Sequence, residues 1–158
     1  MMKIKIYTDG ACSGNGKQTA IGGLGWIGIL EDGSYESESG YEHGSTNQRM
    51  EITAIIEACE WAKIVGGDFF SCDIYTDSAY CQRCYEEKWY ELWRRNGWQT
   101  SSRTPVKNAE LWERLIPYFE DVRFNFHKVR GHSGDEYNEI VDKIARNAVE
   151  KAKNMKVN

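Results

Sequence analysis

The chain has 158 residues, 41% of them hydrophobic and 28% charged. It is long enough to bury a core and too apolar for a disordered chain. Its net charge of −4 excludes a broadly cationic nucleic-acid binder, so any such contact must come from a local basic patch or through bound cations. No apolar run approaches membrane length, so no membrane partner is expected. Cys12, Cys59, Cys72, Cys81 and Cys84 are odd in number, and no secretory leader accompanies them. This points to reduced thiols in the cytoplasm. Cys81 and Cys84 have CxxC spacing but no second pair, and they fall inside a predicted helix. They read as structural thiols, not as a zinc or redox motif.

Lys3–Asp9 alternates in the manner of a strand. Gly10–Gly25 reads as a loop rich in Gly, Ser and Asn, and Ile21–Leu30, overlapping its end, as a strand whose glycines admit close packing. Asp32-Gly33 signals a two-residue hairpin, and Ser34–Glu42 the returning strand. Ser45 and Gln48 stand at capping-box spacing ahead of a helix that stops at Gly66-Gly67. Met50, Ala54, Ala58, Trp61 and Ala62 form its apolar stripe. Ser71–Asp77 is a further strand, and Ser78 caps a helix reaching about Glu87. A short helix covers Trp89–Asn96, and Thr104-Pro105 breaks the chain. Asn108 caps a helix carrying Leu111, Trp112, Leu115 and Ile116. Val122–Val129 is the last strand. Asp135–Lys153 is the closing helix, burying Val141, Ile144, Ala145, Ala148 and Val149. The order β-β-β-α-β-α-α-α-β-α predicts an α/β fold. Its five-stranded mixed sheet has three antiparallel strands, then two parallel ones, and is flanked by helices in one domain, 1–158.

Two strands end alike, in Thr8-Asp9-Gly10 and Thr76-Asp77-Ser78. In open α/β sheets, ligands bind beyond the carboxyl ends of the strands. Neighbouring strands ending in Asp bring two carboxylates together there, which repel unless a cation sits between them. Glu51 lies on the buried side of its helix's first turn, and Asp142 flanks the stripe of the last helix. Single acids at such places are ordinary, since a strand-end Asp turns to solvent and an acid suits a helix N-terminus. Four acids at one edge, with no basic partner obvious in sequence, call for hard divalent cations with oxygen ligands. His132, in the loop Gly131-His132-Ser133-Gly134, stands where it could move a proton beside Asp142, with a pKa near neutrality.

These residues resemble the type 1 ribonuclease H motifs. The resemblance runs through Thr8-Asp9-Gly10, Thr46-Asn47-Gln48-Arg49-Met50-Glu51, Thr76-Asp77-Ser78 and Gly131-His132-Ser133-Gly134 with Asn138 and Asp142. Trp89 to Trp112 is similar to the basic handle of the bacterial enzymes. It implies a ribonuclease H-like fold and endonucleolytic hydrolysis of the RNA strand of RNA–DNA hybrids, leaving 5′-phosphate and 3′-hydroxyl ends. It also implies two Mg2+ ions with substrate bound, for which Mn2+ can substitute. Asp9 is implied to touch both ions, Asp142 the ion that activates water, and Glu51 and Asp77 the ion on the leaving-group side. His132 is implied as the family's mobile histidine, serving proton transfer or product release. Asn15, Asn47 and Gln48 match positions along the hybrid's minor groove, and Thr46 and Asn108 match groups near the DNA strand's phosphates. In the handle, Arg94, Arg95 and Lys107 are expected on phosphates, and Trp89, Trp93 and Trp98 are expected on the substrate side as well, mostly as a small local core that stiffens the platform, with one ring reaching a sugar. The chain departs from the family pattern at Gln48, often Asn, and at Ala79, often Gln.

The partner implied is the hybrid duplex, bound by a monomer with no obligate protein partner. A DNA-directed nuclease or strand-transferase of the same superfamily is the first alternative, and the handle and the Asn47-Gln48 pair argue against it. A non-catalytic hybrid-binding module is the second. A binder has no reason to keep an unpaired carboxylate cluster.

Overall fold

The computed structural model describes residues 1–129 and 136–155. Its elements are β1 (Met2–Ser13), β2 (Ile21–Leu30), β3 (Tyr35–His43), α1 (Asn47–Gly66), β4 (Phe70–Thr76), α2 (Ala79–Glu87), α3 (Trp89–Asn96), α4 (Ala109–Phe119), β5 (Phe124–Lys128) and α5 (Glu136–Asn154). The sheet runs β3-β2-β1-β4-β5. The first three strands are antiparallel, β4 lies parallel to β1, and β5 parallel to β4. This is the expected order and topology.

Side chains alternate across each strand, so the sheet has two different faces. Ile4 and Ile6 of β1, with Cys72 and Ile74 of β4, point into the main core with Ile52, Ile55 and Ala58 of α1. Leu111, Trp112 and Leu115 of α4 join the same core. Each large aliphatic side chain fully buried here contributes about 1.5–3 kcal/mol. The opposite face carries Tyr7, Ile27 and Val129, covered by Val141 of α5.

Four local expectations need correction. β1 does not stop at Asp9. It pairs with β2 as far as Ser13 opposite Ile21, whereas its parallel pairing with β4 ends at Thr8 opposite Thr76. The small residues after Asp9 look like loop, and it is the partner strand that keeps them extended. The α1 cap is Thr46, whose Oγ1 accepts the Arg49 N–H at 3.1 Å, not Ser45, which is buried. Asn108 precedes α4 in the left-handed region (φ 62°) and makes no capping bond to it. Ile144 is half-buried, not part of the sealed stripe.

Elsewhere the local chemistry follows expectation. Ser78 Oγ accepts from the Cys81 N–H at 3.1 Å and caps α2. The tryptophans pack together: Trp93 lies 5.7 Å from Trp98, 5.8 Å from Trp112 and 6.1 Å from Trp89, ring centre to ring centre. The cysteines form no disulfides.

Candidate active site

Asp9 and Asp77 each follow the last residue of the β1–β4 parallel pairing, Thr8 opposite Thr76. Neighbouring strands lie about 4.8 Å apart, which brings the two acids side by side. Asp9 is 5% exposed, and its Oδ1 accepts the Gly10 N–H at 2.8 Å. Burial, then the charge of Asp77, pushes its pKa up to about 8. Asp142 adds to this both through its charge and by a shared hydrogen bond, and the Gly10 N–H is too little to offset them. Asp9, Asp77 and Asp142 are therefore within interaction distance, as the sequence implied.

The helices reach this edge because glycines let them approach. A Cβ on Gly10 would fall 2.5 Å from the Glu51 nitrogen and 2.7 Å from the Met50 carbonyl carbon. Only a bare backbone at Gly10 allows the first turn of α1 to sit there. Glu51 is half-buried, and burial raises its pKa. A hydrogen bond from Ser78 pulls the other way, and Asp77 raises it further. The hydroxyl that caps α2 thus also orients Glu51. On the other face, a Cβ on Gly23 would lie 2.3 Å from the Ala145 carbonyl oxygen, so α5 also packs directly on the sheet. That contact sets Asp142 one turn away, at the edge.

Asp142 has a basic partner that the sequence reading missed. Its Oδ2 accepts from Arg146 Nε at 3.0 Å, one helical turn on. The i,i+4 spacing was the available signal. With side chains 49% and 63% exposed, such a pair is worth only about 0.3–0.5 kcal/mol. It does not neutralise the edge, since Asp9 remains strongly raised.

The donor set fits a hard divalent cation. All the groups are carboxylate oxygens, and Asp9 titrates as a carboxylate lacking a counter-charge. Among the described residues, no three His, Cys, Asp or Glu side chains converge as a ready-made cage. Bare carboxylates repel, and Mg2+ in any case takes few protein ligands, completing its shell with water and substrate oxygens. His132 lies outside the described residues.

Beside the edge, a groove of about 570 Å³ is lined by Asn15, Gly16, Thr46, Asn47, Gln48, Lys107 and Asn108. Six of these were predicted from the sequence as substrate contacts. Asn15 Oδ1 accepts the Asn47 N–H at 3.0 Å and ties the loop after β1 to the start of α1. Trp89, Trp93, Arg94, Arg95 and Trp98 do not line it. Trp93 is buried, and Trp89 and Trp98 are half-buried in the tryptophan cluster. Arg94 is held in a two-pronged ion pair with Glu120, at 2.6 and 3.0 Å. Arg95 is exposed, and its Nε–H is directed at the Glu91 carbonyl, at 3.3 Å. Two positions that sequence reasoning left without a site role, Arg49 and Ser78, prove to touch the site's residues.

The sequence family model for RNase H matches residues 1–150. The chain is 45% identical over 150 residues to the ribonuclease H of Syntrophomonas wolfei, covering 94% of this chain and 97% of that one. The chain belongs to the ribonuclease H family. Other ribonuclease H relatives are that of Acetivibrio thermocellus, 43% identical over 96% of this chain and 97% of the relative, and that of Nitratidesulfovibrio vulgaris, 46% identical over 92% and 88%. Among solved structures, LC9-RNase H1, a type 1 RNase H with the type 2 active-site motif, superposes with a TM-score of 0.79 at 26% identity, over 96% of this chain and 74% of that one. LC11-RNase H1 in complex with RNA/DNA hybrid shares the fold, with a TM-score of 0.67 at 24% identity over 95% and 99%. As a ribonuclease H, this protein is an enzyme that hydrolyses the RNA strand of RNA–DNA hybrids, and its family depends on divalent metal.

Proposed function

We propose that the acidic edge is the catalytic centre of that hydrolysis, and that Asp9, Glu51, Asp77 and Asp142 hold two Mg2+ ions, replaceable by Mn2+, when the hybrid is bound. The observation that carries this reading is Asp9, buried against two other carboxylates and raised to about 8. Such a cluster is costly in a folded protein without a cation. Bound there, the ions would supply a nucleophilic water and stabilise the leaving oxygen of an in-line displacement, which leaves 5′-phosphate and 3′-hydroxyl ends.

The chain's own part is to position. Ser78 fixes Glu51, and the Gly10 contact sets how far α1 reaches over β1. In the groove, the amides of Asn15, Asn47 and Gln48 face the hybrid's minor groove, where the 2′-hydroxyl distinguishes RNA from DNA. Thr46, Lys107 and Asn108 take the DNA strand's phosphates, and such contacts set register more than sequence preference. Arg95 adds a phosphate contact outside the groove, and Trp89, Trp93 and Trp98 brace that platform. His132 keeps the proton-carrying role implied by its place in the sequence. Residues 1–158 act as one monomeric domain needing no protein partner. Five cysteines without disulfides support a reducing, cytoplasmic setting, and no helix among the described residues is long and apolar enough to cross a membrane.

Matched RNA–DNA, RNA–RNA and DNA–DNA duplexes incubated with Mg2+, Mn2+ or a chelator test this. Cutting of the hybrid's RNA strand alone, abolished by the chelator and by Asp9→Asn, is the expected result. Undiminished cutting by Asp9→Asn with Mg2+ would overturn it.

A further inference from the structure

Arg49 leaves the first turn of α1 and reaches three partners on two other segments. Its Nε–H donates to Glu42 Oε1 of β3 at 3.0 Å. Its Nη1 donates to Glu110 Oε1 at 2.6 Å and to Asn108 Oδ1 at 3.2 Å, both at the start of α4. The side chain is 26% exposed. Two carboxylates stand against one guanidinium, so Arg49 is already satisfied as a cation and is poorly suited to receive an anion itself.

Its effect falls on Asn108. With Oδ1 held by Arg49, the carboxamide has to present its Nδ2 hydrogens away from the guanidinium. Asn108 lines the groove, and its left-handed backbone makes no capping bond that would fix the side chain otherwise. The backbone N–H of Arg49 acts similarly on Thr46, whose Oγ1 accepts it at 3.1 Å. The Thr46 hydroxyl proton is then left to donate elsewhere. Two polar walls of the groove are in this way set as donors, and Lys107, in the same lining, adds positive charge. Such a seat suits an acceptor-only anion, a phosphodiester oxygen.

We propose that Arg49 is a positioning residue for the substrate groove, one whose side chain turns Asn108 into a hydrogen-bond donor for a backbone phosphate of the hybrid, beside the donor that the helix cap sets at Thr46, without touching that phosphate. The inference rests on the reading of the groove as the seat of the hybrid. It distinguishes Arg49 from Lys107, whose role there is direct charge. The planar fork is what the arrangement needs. A lysine carries the charge but cannot serve Glu42, Glu110 and Asn108 in fixed directions.

Steady-state cleavage of an RNA–DNA hybrid with Mg2+ tests it, using the wild type, Arg49→Ala, Arg49→Lys, Asn108→Ala and the Arg49→Ala/Asn108→Ala double variant, with thermal melting of each. Arg49→Ala is expected to raise KM about tenfold with kcat held within about twofold. Arg49→Lys does not restore KM. The double variant falls near Asn108→Ala alone, not at the product of the two effects, because both changes remove one oriented donor. A purely structural role would give multiplied effects or a loss in kcat. If Arg49→Ala melts below the assay temperature, Arg49→Lys in the same cycle with Asn108→Ala decides. A cleaving wild type with KM unchanged by either Arg49 variant, or with multiplied effects, overturns this inference alone. A wild type that leaves the hybrid intact overturns the reading of the groove, and this inference with it.

Discussion

The acidic edge and the tryptophan-rich α3–α4 region treat charge in opposite ways. Around α3 and α4, charges are matched: Arg94 grips Glu120, and Arg114 reaches Glu60 at 2.9 Å. Arg49 also joins Glu110, at the start of α4, to Glu42 of β3. The rings of Trp93, Trp98 and Trp112 fill the space beneath. At the edge, carboxylates crowd with little compensation, and Asp9 is raised to about 8. The first region is arranged as a protein stabilises itself. The second is not, and there the fold crowds carboxylates whose mutual repulsion a proton, or a bound cation, would relieve.

Asp9→Asn should show the difference most strongly. Hybrid cleavage is expected to fall at least about a thousandfold in kcat. The metal-free protein should nonetheless gain stability, an advantage that grows as pH rises from about 4 and is complete by about pH 8, at something on the order of a few kcal/mol. The sign follows from linkage. Asp9 carries its proton more tightly folded (about 8) than unfolded (3.8), so the folded state is favoured fully below pH 3.8 and loses this advantage as pH rises to about 8. The amide removes that loss. A variant that both retains turnover and melts like the wild type across pH would erase the contrast between the two regions.

Trp112→Ala tests the other side. Trp112 is fully buried, and its loss should cost about 3–5 kcal/mol in denaturant unfolding. Turnover per folded molecule should change little. If kcat collapsed while the fold held, the tryptophan cluster would be part of the reaction and not its support.

Gly10→Ala joins the two behaviours. Its Cβ meets backbone of α1, not a flexible side chain, so relief means moving the helix that carries Glu51. We expect about 1–3 kcal/mol of destabilisation and about a tenfold or greater fall in kcat, from paired melting and kinetic measurements.

The smallest effects sharpen the comparison within α3. Arg94→Ala removes an ion pair that is largely exposed and should change stability by no more than about 1 kcal/mol, with little effect on KM. Arg95→Ala should raise KM severalfold and reduce its salt dependence by about one phosphate contact. Equal effects on KM would mean that Glu120 releases Arg94 to the substrate.

How much of this was legible depended on whether the signal was local. Strand alternation, Ser78 as a cap and the order of elements are set by neighbours in sequence, and they appear as expected. The four acids stood out because repetition and helix phase are also local. What escaped needed a partner from elsewhere. Ser13 is a strand residue only because Ile21 pairs with it. Asn108 looks like a cap, yet its oxygen belongs to Arg49. Arg94 reads as a free cation until Glu120 appears across the fold.

Melting temperatures of the metal-free wild type and Asp9→Asn, across about pH 5 to 9 with and without added Mg2+, test the central claim most directly. The carboxylates lowered by partners, such as Asp121 beside Arg123, titrate below this range, and the histidines are common to both proteins, so the difference between wild type and Asp9→Asn isolates Asp9. Wild type is expected to melt lower as pH rises, to recover on adding Mg2+ near pH 8, and Asp9→Asn to show a flatter profile and little response to the metal. A wild-type profile that neither falls with pH nor responds to Mg2+ would contradict the account of the edge as a cation-requiring centre.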